Sequence, residues 1–378
     1  MIVSAKTGRG HISVMNTLAE CFADKGYKDC KCIPDFYESI LPSNRILSDF
    51  YNFLLTSSTA LCEKYVQFTT LTRPDRNEEL YQMTKSHYAE LFATKGLQAI
   101  VSTAISVNHS MIQALKEEGL YGQIPFYIVV TDPYDPIAPG FDIPGATRYF
   151  CANETVKNIL AESGIDADKI MITGYPVSKR FCSSLSTERK EAVFQKLGLN
   201  PRKKVVLLNS GSQGGISSLN LLRRYLESDI DVNMIMLCGT NKSLYRLAKI
   251  EGMKTPKSDL LLLPFYEWME ELLAISDVYI TKAGANSFYE AVFSQVPLLI
   301  DATEGYLYQE RGVTAMLDEL KIGRSVEDIS DFTTLLQESL REDVTLQYKA
   351  RYKSMDIKNG ANPVVETILS DVAAKQEK

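Results

Sequence analysis

An excess of positive charge is missing from this 378-residue chain: 41 Lys and Arg stand against 47 Asp and Glu, for a formal net charge of −6. Contact with phosphate backbones needs a strongly basic face, so the balance argues against a general nucleic-acid binder and leaves room only for a local basic patch. No stretch approaches the roughly 18 apolar residues needed to span a bilayer. The opening Met1-Ile2-Val3-Ser4-Ala5 reads as a short strand entering a glycine turn rather than as a signal peptide. The expectation is a cytoplasmic protein whose contact with a membrane, where it has one, is peripheral. Seven cysteines, an odd number without a CxxC pair, read as scattered thiols in a reducing compartment. Cys30 and Cys32 share one face of a probable strand but lack a third and fourth ligand, so no metal site is expected there. There is no internal repeat and no low-complexity segment. Histidine is scarce as well, with three in the chain, so an imidazole at a special position carries information.

What is present is an ordinary globular composition, 45% apolar and 23% charged, in a chain long enough for two domains with separate cores. Apolar runs occur at 2–5, 31–34, 99–102, 126–131, 149–152 and 170–173. A second series follows at 205–208, 234–237, 260–263, 278–280, 298–300 and, more weakly, 322–326. Such runs separated by helix-period stretches mark parallel sheets covered on both faces, hence an α/β chain of two doubly wound, Rossmann-like domains. Gly174-Tyr175-Pro176 punctuates the boundary. The expected division is 1–175, 176–345 and a helical tail, 346–378, that crosses back to the first domain. Ligands of such sheets sit beyond the carboxyl ends of the strands, so two facing domains define one interdomain cleft. The region 36–72 breaks the alternation. It is rich in aromatics and leucine and reads as amphipathic helices, which either cover the first sheet or leave apolar surface for a lipid or bilayer.

The most informative stretch is Asp277 to Ala291. A buried strand, Val278 to Ile280, is followed by a small-residue turn at Ala283-Gly284-Ala285 and then by an apolar-periodic helix from Phe288. Free N–H groups and the positive dipole end of that helix suit a phosphate, and small residues let it approach. Asn286 and Ser287 lie about one turn before Glu290, whose carboxylate can accept hydrogen bonds from both hydroxyls of a ribose. The plainer reading is that Glu290 complements the dipole and Gly284 turns the chain. Asn209-Ser210-Gly211-Ser212-Gln213-Gly214-Gly215, after the first strand of the second half, is a polar glycine-rich loop able to point N–H groups at the same diphosphate. Phe265 can present its backbone to a nucleobase or serve as core. Gln309 and Glu310 offer an amide and a carboxylate suited to sugar hydroxyls, or form a solvated helix start.

In the first half, Ser4-Ala5-Lys6-Thr7-Gly8-Arg9-Gly10-His11 closes the first strand, and Gly8 and Gly10 permit a tight turn that sets His11 at a helix start. A neutral imidazole there can take a proton from an acceptor hydroxyl; the plainer reading is that it caps the helix. Asp132, after Thr131 at another strand end, can orient His11 or bind an acceptor hydroxyl. Asp166/Asp168 and Asp229/Asp231 precede strands, at the wrong sheet end for a metal–nucleotide site.

These motifs, in this order, resemble the monogalactosyldiacylglycerol synthase and processive diacylglycerol glucosyltransferase family. They resemble more distantly the lipid II N-acetylglucosaminyltransferase. The likeness rests on Gly8-Arg9-Gly10-His11, Thr131-Asp132, Tyr149 to Pro176, Ser210 to Gly214, Thr281-Lys282-Ala283-Gly284 through Glu290, and Gln309-Glu310. It implies a GT-B fold, a UDP-sugar substrate with no cofactor, a lipid acceptor such as diacylglycerol, and metal-independent inversion at the anomeric carbon. On that likeness His11 with Asp132 serves the acceptor, Ser210 to Gly214 and the Gly284 turn hold the diphosphate, Glu290 the ribose, and Gln309 with Glu310 the sugar. Between Phe36 and Arg76 the charges balance, Arg45, Lys64, Arg73 and Arg76 against Glu38, Asp49, Glu63 and Asp75, so electrostatic attraction to anionic lipid is largely absent. Two rivals stand beside this reading: a nucleotide-sugar epimerase or hydrolase, and a non-catalytic UDP-sugar sensor.

Overall fold

The computed structural model describes residues 1–7, 9–211, 214–215, 217–308 and 310–376. Two compact units emerge, Met1–Phe53 with Cys62–Ser178 and Ile357–Lys378, and Leu54–Leu61 with Lys179–Asp356. Each is built on one six-stranded parallel sheet.

The sheet of the first unit comprises β1 (Ile2–Val3), β2 (Cys32–Ile33), β3 (Ile100–Ser102), β4 (Phe126–Val129), β5 (Arg148–Cys151) and β6 (Ile170–Ile172), in the order β2-β1-β3-β4-β5-β6. That of the second comprises β7 (Val205–Asn209), β8 (Asn233–Leu237), β9 (Leu260–Leu263), β10 (Val278–Thr281), β11 (Leu298–Asp301) and β12 (Gly323–Val326), in the order β12-β11-β10-β7-β8-β9. Every apolar run read as a strand is one. The inner strands are buried on both faces, Val206, Leu207, Ile280 and Leu299 being wholly so, and burial on both faces is why the runs are continuous rather than alternating.

The connecting helices are α1 (Gly10–Asp24), α2 (Phe36–Ile40), α3 (Pro42–Ser57), α4 (Thr59–Thr72), α5 (Glu78–Phe92), α6 (Asn108–Glu117) and α7 (Glu154–Glu162). Beyond them run α8 (Thr187–Leu197), α9 (Ser217–Leu226), α10 (Lys242–Lys254), α11 (Met269–Ile275), α12 (Ala285–Ser294), α13 (Glu310–Leu320), α14 (Phe332–Ser339), α15 (Glu342–Ser354) and α16 (Ala361–Gln376). Asn and Ser side chains start several of them: Asn77 accepts from Leu80 N, Asn153 from Val156 N, Ser186 from Arg189 N and Asn241 from Leu244 N. Each satisfies a backbone donor that the helix cannot.

Both sheets have a topological switch point, where chain progression reverses direction and the loops above the strand ends part. In the first it lies between β1 and β3, and in the second between β7 and β10. One expectation is corrected here: the helix after β10 starts at Ala285, three residues before Phe288. Gly284 is its extended N-cap, and the half-buried Ala285, Asn286 and Ser287 form a first turn that carries no core residue, so apolar periodicity registers only from Phe288.

The C-terminal helix α16 belongs to the first unit, where Cys21 of α1 donates to Asn362 at 2.9 Å and Arg148 forks onto Asp371 at 2.7 and 3.0 Å. It is led in by a close crossing of two glycines. A Cβ on Gly360 would stand 2.1 Å from the Gly174 carbonyl oxygen, and one on Gly174, whose φ is +87°, 2.0 Å from that of Lys358. Gly360→Ala should therefore push the strands of this crossing apart and destabilise the α16 attachment by about 1–3 kcal/mol. Hydrogen exchange of the α16 amides checks this, and exchange as slow as in the unaltered protein would contradict it.

Candidate active site

In the first unit the switch point is occupied by His11, the second residue of α1. The N-cap of that helix, Arg9, contributes no side-chain cap. The strands that flank the ring are tied together beneath it: Thr103 Oγ1, just past β3, reaches Ser4 Oγ at 3.0 Å and the His11 carbonyl at 3.1 Å. The imidazole Nδ1 lies 2.8 Å from Thr131 Oγ1, and the ring packs at a tilt against Phe141, 6.3 Å between centroids. Burial pushes the imidazole down to about 4, against a smaller opposing effect of the Thr103 hydrogen bond. The ring is thus neutral at physiological pH. When Nδ1–H donates to the threonine hydroxyl, the Nε2 lone pair is left to accept a proton.

The expectation that Asp132 orients His11 is corrected: Thr131 makes the contact, while Asp132 Oδ2 accepts from Ala138 N at 2.6 Å and so holds the loop after β4. Side chains alternate at a strand end, so neighbours in sequence point to different places. Burial raises the Asp132 carboxyl to about 6.

The turn before His11 is braced from α2 and α3. Buried Glu38 accepts from Lys6 N at 2.8 Å and from Ser48 Oγ at 2.6 Å, and Asn52 donates to the Lys6 carbonyl at 2.9 Å. The loop bearing Phe141 is braced from the end of α4, where Arg73 forks onto Asp142 at 3.2 and 3.3 Å. The sequence assigns Thr131 no role, shows Glu38 and Arg73 only as charges and marks neither Asn52 nor Phe141, because the partners of these side chains lie far away along the chain.

In the second unit the ladder places Asn209 opposite Thr281, so the loops after β7 and β10 rise side by side. Asn209 works both ways: its Oδ1 accepts from Gly211 N at 3.0 Å, and its Nδ2 donates to the Tyr279 hydroxyl at 2.7 Å. That hydroxyl also hydrogen-bonds the side chains of Ser287 and Thr281, both named from sequence. Gly211 and Gly214 have φ of +81° and +76°, and a Cβ on Gly214 would meet the Cys238 carbonyl at 2.4 Å. Both positions therefore require glycine. Ser210 donates both its hydroxyl and its backbone N–H to the Leu237 carbonyl, and its own carbonyl accepts from Gly215 N at 2.8 Å, so its backbone is taken up in holding the loop. Gly284 leaves the first N–H groups of α12 without a side-chain cap.

Glu290 is half-buried one turn along α12; burial, then the neighbouring charge of Glu270, raises its carboxyl to about 7. Phe265 is 55% exposed beyond the end of β9, which removes the alternative that it is core. Glu310 Oε2 accepts from Leu307 N at 2.9 Å and so braces the start of its own helix, α13. Gly10 opens α1 and is half-buried, as are Ala285 and Asn286 at the start of α12. Gly8, Ser212, Gln213 and Gln309 lie outside the described residues. Among the described residues no three His, Cys, Asp or Glu side chains are grouped to hold a metal ion.

Two doubly wound parallel sheets in series, each with a polar site at its switch point, define the GT-B class. Residues 11–177 match the family model for monogalactosyldiacylglycerol (MGDG) synthase, and 206–301 that for the glycosyltransferase family 28 C-terminal domain. A processive diacylglycerol beta-glucosyltransferase of Bacillus cereus is 27% identical over 386 residues, covering 98% of this chain and 93% of its own. Among solved structures, MurG of Acinetobacter baumannii has a TM-score of 0.62 at 13% identity, covering 98% of this chain and 99% of that one. A putative UDP-N-acetylglucosamine 2-epimerase of Listeria monocytogenes has a TM-score of 0.63 at 13% identity, covering 99% and 97%. At that identity the two structures speak for the fold alone. Over nearly its whole length the chain is similar to the monogalactosyldiacylglycerol synthase and diacylglycerol glucosyltransferase family, and it is a glycosyltransferase.

The burial of His11 is directly measurable. With a His11→Gln variant assigning its resonance among the three histidines, its carbon chemical shifts should titrate near pH 4. A midpoint close to 6.5 would contradict the sheltered, neutral ring.

Proposed function

We propose that the protein transfers a hexose, with inversion and without a metal, from a UDP-sugar to the hydroxyl of diacylglycerol or a related lipid, acting peripherally on the cytoplasmic face of a membrane. The observation that carries this is the family match of the first unit, which begins at His11, the residue at its switch point. In this reaction the bond from the acceptor oxygen to the anomeric carbon forms as the bond to the β-phosphate oxygen breaks. His11 takes the acceptor proton, and UDP departs with the electron pair. The start of α12, which has no side-chain cap, stabilises the departing diphosphate through its first N–H groups as charge develops, and the loop after β7 borders it. Glu290 binds the ribose hydroxyls, Phe265 borders the base, and Gln309 with Glu310 addresses the sugar.

The lipid side is supported by α3 and α4. Ile46, Leu47, Phe50 and Phe53 follow one helical face, and Ile46 and Phe53 are 69% and 63% exposed; on α4, Phe68 and Leu71 reach 62% and 85%. With charges balanced in this region, docking is hydrophobic rather than electrostatic. Among the described residues no helix is long and apolar enough to cross a membrane.

Purified protein incubated with diacylglycerol vesicles and a mixture of UDP-sugars should yield hexosyl-lipid masses. UDP-sugar consumption with unchanged lipids would instead favour the epimerase or hydrolase reading. His11→Ala should lower turnover at least ~100-fold with donor affinity little changed; an unaltered rate would remove the base.

Glu290 gives a pH signature. A carboxyl raised to about 7 accepts hydrogen bonds fully only above that pH and loses this capacity as pH falls through it. The donor KM should therefore rise between pH 8 and 6 and be flat in Glu290→Gln. His11, neutral down to about pH 4, contributes no limb in this window.

A further inference from the structure

Lys282 follows β10 directly, and the backbone folds tightly beneath it, Gly284 N donating to the Lys282 carbonyl at 2.7 Å. Its side chain runs across the switch point to the neighbouring loop: a Cβ on Gly215 would stand 2.9 Å from Lys282 Cε and 3.0 Å from Nζ. The half-buried lysine thus lays its ammonium over Gly215, between the glycine loop and the start of α9. Among the described residues it has neither an ion pair nor a hydrogen-bond partner. Several other lysines of this unit are engaged, Lys203 with Asp231 and Asp259, Lys196 with Glu271, and Lys257 with the carbonyls of Ser228 and Ile230, whereas Lys242 and Lys349 are exposed to solvent.

The surroundings add positive potential rather than cancel it. Two ten-residue helices, α9 and α12, start beside Lys282, and the start of α12 has no side-chain cap. Ser217, the first residue of α9, is 1% exposed, and its Oγ has no hydrogen-bond partner. Glu290 does not compensate, because the charge acting on it is that of Glu270 and not of Lys282. An uncompensated cation among unfilled donors is a site prepared for an anion.

We infer that Lys282 is a catalytic residue that binds the diphosphate and neutralises the charge arriving on the β-phosphate as the glycosidic bond breaks, the task a divalent cation performs in metal-dependent transfer. This rests on the UDP-sugar reading above and extends it to a residue to which that reading gives no part. As the anomeric C–O bond breaks, its electron pair passes to the β-phosphate oxygen, the acceptor proton goes to His11, and Lys282 keeps its own proton throughout. A fixed cation at a developing anion is commonly worth a factor of about 10²–10³ in rate.

The test separates phosphate from nucleoside. UDP and uridine binding are measured by calorimetry for the unaltered protein, Lys282→Met and Gly215→Ala, whose added Cβ displaces the ammonium. Single-turnover transfer is measured on the same proteins. Lys282→Met should weaken UDP about tenfold or more, leave uridine unchanged and slow transfer about 100-fold, with Gly215→Ala between. Equal losses for UDP and uridine would indicate a merely structural lysine and overturn the assignment, as would no loss for either. If the unaltered protein binds no UDP, the donor reading and the Lys282 assignment fall together. If UDP binding falls in Lys282→Met but the unaltered protein glycosylates no lipid, Lys282 stands and the acceptor reading fails.

Discussion

Parallel pairing of β7 with β10 is the constraint on which the glycine-rich half of the molecule depends. The ladder sets Asn209 opposite Thr281, so residues far apart in sequence share one sheet edge, and the hydrogen bond from Asn209 to Tyr279 spans 70 positions. Because β8 and β9 lie on one side of that pair and β11 and β12 on the other, no crossover covers the gap above it. Two helix starts, two glycines held at positive φ and one lysine meet there. Each feature alone is common among α/β proteins, and it is their adjacency that has chemical content.

The same topology does different work in the first unit. There the β1–β3 gap holds a histidine rather than a phosphate-sized cradle, and the local chemistry is that of desolvation. Burial holds His11 neutral and raises Asp132 to about 6, so both groups are biased toward their uncharged forms. Thr131 fixes the ring through a contact that leaves its other nitrogen open. Braces from Glu38 and Asn52 on one side and from Arg73 on the other connect the His11 surroundings to α2, α3 and the end of α4. The apolar face exposed on α3 and α4 is thereby bonded to the loops around the imidazole.

How much was legible follows from what writes itself into local sequence. The strands could be read because strands covered on both faces are short continuous apolar runs. The His11 turn, the glycine loop and the Gly284 turn could be read because they directly follow such runs. The first turn of α12 could not, since periodicity reports only residues that meet the core. Thr131 rather than Asp132 could not, because which of two neighbours faces a ring 120 positions away depends on strand pleat and loop path. Lys282 was in plain view inside a recognised motif, yet nothing local distinguishes an unpaired ammonium from a solvated one.

By itself the sequence determined the α/β class, the order of elements, the position of the turns and the family resemblance, because burial period and turn chemistry are local properties. Tertiary structure alone decided which turns became neighbours, which groups lost their water and which polar atoms found partners. Those depend on strand order and packing, and they set the protonation of His11 and Glu290 and the isolation of Lys282. A side chain's chemistry is a property of its surroundings, which the fold assembles from segments that do not touch in sequence.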